Sequence, residues 1–489
     1  MKASNYSMQS SYFLLFSLFA FSCVIRLISV ADYSLWFDEA LNFRIISNSW
    51  GSLWISNFDP TPPLYYSLLK LFVSPETNEV FIRLPSIIFG SLTVVVFYKI
   101  CKTQFSSSIS FFVSVLFSLS YHQLEYSQEA RAYSMQLFFA IAAFYCAYLA
   151  ACGQREETKL LIGTYSLFSL LSLYTHNIAV FHILGINLLF FYFCIIKKDY
   201  SKLKFWILCN TLVLFLWLPW PIVTIFSGEG NTFNWLKHIS PFQFILSTGK
   251  SIKLSPNPDE VTLLDGLFLT CILLGVFYAI RRSNKNLLIS IVLMAIPSLL
   301  FVWLIGFVKP IFMDRTVIIS SILAYLTLPF LLANFNRKVT ISLGVSLTII
   351  HLISYYQYVQ NRYSENEQWA QAVKSIEQSD FNNILICSTS PSWVISYYLS
   401  DKGINVYTLG TDYTKASEVN NIMKSKMMLA ENGKEDVGVE IALQELENPV
   451  FVDSHCKANV RTELSKFVNL EAVSTNKYKR IDLYKIQSK

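Results

Sequence analysis

Long apolar runs separated by short polar loops fill the first 357 residues of the chain. A helix rises about 1.5 Å per residue and the hydrocarbon core of a bilayer is about 30 Å thick, so about 20 apolar residues cross it. Eleven segments meet that length with few charges: 11–30, 81–99, 107–122, 132–151, 160–176, 178–196, 205–226, 262–280, 287–307, 316–334 and 339–357. Every second loop is basic: Lys99 and Lys102, Arg155 and Lys159, then Lys197, Lys198, Lys202 and Lys204, then Arg281, Arg282 and Lys285, and last Arg337 and Lys338. Basic loops stay on the cytoplasmic side. The N-terminus is therefore expected inside and, after an odd number of crossings, the C-terminus outside. Ser29-Val30-Ala31 reads as a signal-peptide cleavage site, but the run before it is long for a signal peptide. An uncleaved first helix is expected, with Arg26 snorkelling to the interface.

From residue 358 the period of the pattern changes. Trp369, Ala370, Val373 and Ile376 repeat at helical spacing within 365–378, whereas Asn383 to Cys387 is a short apolar run of strand type. A helix over 392–399, strands over 404–409 and 449–452, and a hairpin over 470–485 complete the expected order. Helices alternating with strands predict a small α/β domain with a mainly parallel sheet. The fold class is thus a multi-pass α-helical membrane protein of about 11 transmembrane helices over 1–357, followed by an extracytoplasmic α/β domain over 358–489.

Composition agrees with lipid as a solvent: 53% of the 489 residues are hydrophobic and 15% charged, against about a quarter charged in soluble domains. The net charge of +6 lies between apolar runs rather than on one face of a domain, so no nucleic-acid partner is expected. Of nine cysteines, Cys23, Cys146, Cys194, Cys209 and Cys271 lie in apolar runs, and no zinc-type spacing appears, so no metal site is assigned. Cys387 and Cys456 lie in the tail; sequence leaves their pairing open, because it does not give proximity.

The chemically mixed loops are the outward ones. After the first span comes Leu35-Trp36-Phe37-Asp38-Glu39-Ala40, and later Pro62-Pro63-Leu64-Tyr65-Tyr66. The next outward loop brings Glu129 and Arg131 to the start of the fourth span, His176 follows the fifth, and Lys309 and Arg315 precede the tenth. A carboxylate at the membrane boundary is costly unless paired, hydrated or functional. Each of these residues also has a plain structural reading: a solvated acid, an ion pair between helices, an interfacial histidine, or snorkelling cations.

As an ordered set the motifs resemble one family. "LWFDEA" (35–40), "PPLYY" (62–66), "FIRLPSIIFGSL" (81–92), "YSQEARAYSM" (126–135), "YTHN" (174–177) and "KPIFMDR" (309–315) are similar to those of GT-C membrane glycosyltransferases of family 39, the protein O-mannosyltransferase and aminoarabinose-transferase type. The resemblance implies transfer of a hexosyl or pentosyl unit from a polyprenyl-phosphate donor to an acceptor hydroxyl, with inversion, on the outer side of the plasma membrane or the lumenal side of the endoplasmic reticulum; the plasma membrane, as a bacterial inner membrane, is the expected location. The acceptor class (glycan, lipid or protein) and any divalent cation stay open. By match to the motifs, Asp38 is the catalytic base with Glu39 its companion. Glu129, Arg131, His176, Lys309, Arg315 and Tyr65 are the expected substrate-binding residues. Thr61 stands where members often carry a basic residue or His before Pro-Pro, so one phosphate or acceptor contact of the family is absent from this pattern.

The alternative is a transporter or lipid flippase with an extracytoplasmic binding domain. Transporters place ionisable groups near the midplane on broken helices and often repeat their halves. Here the polar groups collect at one face. The tail carries none of the outward-loop motifs and is expected to be dispensable for chemistry.

The loop pattern generates one prediction. A cysteine introduced at Ser488 should react with a membrane-impermeant maleimide on intact cells; labelling that requires permeabilisation would reverse the topology.

Overall fold

The structure, a computed structural model, describes residues 2–55, 61–74, 77–153, 157–226, 238–255, 261–308, 311–387, 389–399, 403–409, 415–418, 437–438, 447–454, 456, 460–466, 468–478 and 480–488. The chain divides into two compact units. The first joins Met1–Ile28, Gly51–Ser67 and Arg83–Gln360; the second joins Ser29–Trp50, Leu68–Ile82 and Asn361–Lys489.

The first unit is a helical bundle. Eight stretches among the described residues are helical, long and apolar enough to cross a membrane: Glu79–Lys102, Tyr133–Cys152, Ala179–Ile196, Tyr200–Ile225, Leu263–Arg281, Asn286–Ile305, Asp314–Leu332 and Arg337–Arg362. Tyr12–Leu27 and Ser107–Ser118 are shorter apolar helices, and Thr158–Thr175 spans 18 residues. Helix therefore stands on each of the eleven predicted segments. The third is shorter than its apolar run: the chain leaves the helix at Leu119, and His122 lies on a separate short helix, Tyr121–Ser127. The tenth is composite, a 3-10 turn at Asp314–Val317 followed by Ile319–Tyr325 and Leu328–Leu332, with Pro329 opening the last piece.

Lipid solvation and polar satisfaction together explain which side chains face where. Leu208, Phe215 and Leu273 are exposed, whereas Phe97 and Phe117 stack at 4.4 Å inside the bundle. Buried hydroxyls bond back to helix carbonyls, as Ser114 Oγ does to Ser110 O at 2.7 Å. Asp265 caps its own helix through Thr262 N (2.8 Å) and also accepts from Leu254 N (2.8 Å) and Ser255 N (2.9 Å), so this acid is consumed by backbone donors. Arg26 corrects an expectation. It is fully buried rather than snorkelling, and its Nη1 donates to Ser22 Oγ at 2.5 Å and Ser118 Oγ at 3.3 Å. Partners inside the bundle replace the interface as the place where this charge is solvated.

The second unit is built on a sheet that has seven strands among the described residues: β1 Asn383–Ile386, β2 Asn405–Leu409, β3 Lys415–Glu418, β4 Val437–Gly438, β5 Pro449–Asp453, β6 Val468–Tyr478 and β7 Ile481–Ser488. Their order is β4-β3-β2-β1-β5-β7-β6. β1 pairs in parallel with β2 and β5, and every other pairing is antiparallel. The sheet is thus mixed rather than mainly parallel: the terminal hairpin returns against β5, and β3 turns back beside β2. β3, β4 and the short helix Val460–Leu464 carry no readable hydrophobic period. Cys387 follows β1 and Cys456 lies just beyond β5, its parallel neighbour, and the two are joined in a disulfide across 69 residues of sequence. Such a link typically contributes about 2–4 kcal/mol by restricting the unfolded chain.

Helix Phe37–Ser47, from the loop after the first apolar helix, belongs to this second unit. Ala40 enters its core beside Trp369, Val373 and Ile395, and Phe43 packs on Tyr397 at 4.9 Å. Leu35 N donates to Tyr398 Oη at 2.7 Å, and Ser34 Oγ accepts from Ala370 N at 3.0 Å. Arg362 lies 4.3 Å over the Tyr33 ring and donates to its hydroxyl at 2.8 Å.

Trp369 is wholly buried at the centre of that core. Trp369→Ala should cost about 3–5 kcal/mol and open both the tail and the Phe37–Ser47 helix to protease in the purified protein. Unchanged cleavage at both places would show that the two do not share a core.

Candidate functional site

The loops that precede the fourth and tenth spans meet in the first unit around two tyrosines. Tyr126 ends the short helix Tyr121–Ser127 and Tyr133 begins the next membrane helix; their rings lie 5.5 Å apart and edge-on. The turn between them is held by Ser134 Oγ donating to Tyr126 O at 2.8 Å. His176 caps the C-terminus of Thr158–Thr175 and its ring lies 5.4 Å from Tyr133. Its Nδ1 accepts from Ile178 N at 3.2 Å, which helps to fix the orientation of the ring. The Arg315 guanidinium lies 5.7 Å over Tyr133. Thus Arg315 and His176, far apart in sequence, address one aromatic ring.

Acids and further bases crowd the same place. Glu125, Glu129, Asp314 and Arg315 all act electrostatically on Tyr126. Burial first, then these acids, hold the Tyr126 phenol well above its ordinary pKa, so it remains a neutral hydroxyl. His122 packs on Tyr126 at 5.1 Å, and its Nε2 donates to Asp314 O at 3.5 Å. Burial pushes the His122 pKa down to about 4, so the ring is neutral at physiological pH. Gln123 Nε2 donates to Ser321 Oγ at 2.7 Å and fixes the short helix to the tenth span. Lys250, at the end of helix Pro241–Lys250, reaches Asp314 electrostatically.

Arg131 and Tyr65 stand in a neighbouring polar group of the same unit. Arg131 is buried, and its Nη1 donates to Tyr66 Oη at 3.4 Å. The Tyr65 hydroxyl and Ser86 Oγ are 2.9 Å apart, and Ser86 Oγ donates to Arg131 O at 3.1 Å. Tyr65 is wholly buried, and through Ser86 it is linked to the Arg131 backbone. Glu129 is half-buried, and its carbonyl accepts from Arg131 N at 2.8 Å. Lys309 lies outside the described residues.

Asp38 and Glu39 occupy the first turn of helix Phe37–Ser47 in the second unit. Glu39 is wholly buried and its Oε2 accepts from Trp36 N at 3.4 Å, a capping contact that fixes the start of the helix. Asp38, beside it, is half-buried. Because this helix packs on Tyr397, Tyr398 and Trp369, the tail supports the segment that carries both acids. Among the described residues no group of three His, Cys, Asp or Glu side chains is arranged to hold a metal ion.

Arg315, His176 and Glu129 follow from the sequence motifs, whereas Tyr133, Tyr126, His122, Asp314 and Lys250 join them only through the fold. Tyr126, Tyr133 and Asp314 lie inside quoted motifs, and an aromatic beside a motif acid is the signal that marks them. Lys250 carries no signal, since only the fold brings it to Asp314.

The sequence profile of the dolichyl-phosphate-mannose-protein mannosyltransferase family matches residues 60–222. No curated protein matches the chain in a sequence comparison. Among solved structures, apo ArnT from Cupriavidus metallidurans superposes with a TM-score of 0.63 at 11% identity, covering 99% of this chain and 98% of that one. The same enzyme bound to undecaprenyl phosphate gives a TM-score of 0.63 at 11% identity, with 96% and 97% covered. The chain therefore has the GT-C fold of ArnT, and over residues 60–222 it carries the sequence signature of the dolichyl-phosphate-mannose-protein mannosyltransferase family, which bears out the resemblance to family 39.

Proposed function

We propose that this chain is a polyprenyl-phosphate-dependent glycosyltransferase that moves a hexosyl or pentosyl unit to the hydroxyl of a glycan, lipid or protein acceptor. The observation that carries the reading is the convergence of Arg315 and His176 on Tyr133 at one end of a GT-C bundle. A departing polyprenyl phosphate gathers charge on its bridging oxygen, and a planar guanidinium held over an aromatic ring is suited to receive it. Arg131 and Lys309 are further cations for the phosphate. Glu129, His176 and the neutral Tyr126 hydroxyl supply hydrogen bonds for donor or acceptor.

Asp38 takes the proton of the acceptor hydroxyl as that oxygen bonds to the anomeric carbon. The bond from that carbon to the phosphate oxygen breaks on the opposite side, so the configuration inverts and polyprenyl phosphate leaves as the anion. Glu39 holds the helix start on which Asp38 stands. The location that fits is the bacterial inner membrane with the N-terminus cytoplasmic. The alternation of basic loops supports it, and so does the Cys387–Cys456 disulfide, which calls for an oxidising compartment around the tail.

Asp38→Asn keeps size and hydrogen bonding but removes proton acceptance, so turnover should fall by about two to four orders of magnitude while donor binding survives. A smaller loss than that of Glu39→Gln would move the base role to Glu39, and normal turnover on every wild-type acceptor would refute the mechanism. Arg315→Lys preserves charge but loses the fork, and donor affinity or turnover should drop roughly tenfold to a hundredfold. Unchanged donor kinetics in that variant would leave Arg315 as an interfacial cation.

A further inference from the structure

At the basic-loop end of the first unit, one membrane crossing away from Tyr126, a cavity of about 610 Å³ is lined by Gln104, Ser106, Arg282 and Arg337 among others, and no carboxylate is among the described residues of its wall. It shares Ser108, Ile109, Leu332, Thr340 and Ile341 with a groove of about 420 Å³ that continues past Phe112, Gly344 and Val345 and has no charged residue in its lining. The two together are one elongated site, cationic at the loop end and apolar along the membrane-facing helices Ser107–Ser118 and Arg337–Glu365.

The cationic end is built rather than incidental. Arg282 Nη2 donates to Gln104 O at 3.1 Å, and its guanidinium lies 4.7 Å from the Phe105 ring and 5.8 Å from the Phe330 ring. That fixes the plane of the fork while its remaining N–H groups stay available to an anion. Arg337, exposed at the start of its helix, lines the same cavity. Lys285, at the N-cap of helix Asn286–Ile305, adds positive charge in the loop that carries Arg282. Basic pockets between membrane helices next to an apolar groove match one chemistry, a phosphate headgroup carrying acyl chains.

We propose that this site holds an anionic glycerophospholipid, its phosphate on Arg282 and Arg337 and an acyl chain along Phe112 and Gly344. The loop pattern assigns it to the cytoplasmic leaflet, and it is independent of the transfer chemistry at the other end of the bundle.

The test is native mass spectrometry of the purified, delipidated chain in detergent with equimolar phosphatidylglycerol and phosphatidylcholine. Wild type should retain phosphatidylglycerol in a saturable step, roughly tenfold or more over phosphatidylcholine. The double variant Arg282→Gln/Arg337→Gln should lose that preference. Arg281→Gln with Lys338→Gln removes the same charge from residues outside the cavity and should retain it. Circular dichroism and gel filtration on each variant identify a misfolded one, in which case Arg337→Gln alone, at an exposed position, is read instead and should lower the preference severalfold. Equal retention of both lipids by wild type, an unsaturable series of bound lipids, or the same loss in the control pair would overturn the proposal.

Discussion

A charge placed in hydrocarbon must find a partner, water or a reason to be there, and that constraint organises this chain. Arg26 meets it with hydroxyls inside the bundle, and Asp265 with backbone donors at a helix start. Basic loop residues meet it by staying outside the spans. What is left at the end of the bundle away from the basic loops is a concentration of acids and cations around two tyrosines, held by short helices and turns rather than by a continuous span. The break in the helix at Leu119 and the composite tenth segment are what free those residues from the regular helix surface.

The second organising contact joins the ends of the sequence. Helix Phe37–Ser47 is short and would not be stable alone. It gains its order from Ala40 and Phe43 packing on helix Thr389–Tyr398 and the core around Trp369. The tail is therefore the platform on which Asp38 and Glu39 are presented, and the disulfide that ties β1 to the end of β5 stiffens that platform.

Much of this was legible before any coordinates. The eleven segments were readable because a bilayer imposes a length and an apolar composition that few other environments require, and the main tail elements because Ile384 to Ile386 and Val450 to Val452 are continuous apolar runs. Less legible was sheet direction, since pairing between β5 and the terminal hairpin is a long-range choice that local periodicity does not encode. Arg26 misled for a related reason: the same residue at the same depth can snorkel or turn inward, and Ser118, 92 residues away, decides. In the candidate site the motif residues were found, but the ring they share, Tyr133, and the reach of Lys250 to Asp314 depend on the fold.

A lipid-linked sugar consumed at the Tyr126 and Tyr133 end of the bundle would leave polyprenyl phosphate behind. The most direct measurement reconstitutes the purified chain in vesicles with a polyprenyl-phosphate-linked sugar and an envelope extract as acceptor. It follows released polyprenyl phosphate and the glycosylated product by mass spectrometry, and the anomeric configuration of that product by NMR. Stoichiometric release of polyprenyl phosphate with an inverted glycosidic linkage is the predicted result. Movement of the intact lipid-linked sugar across the bilayer with no release of polyprenyl phosphate would contradict it.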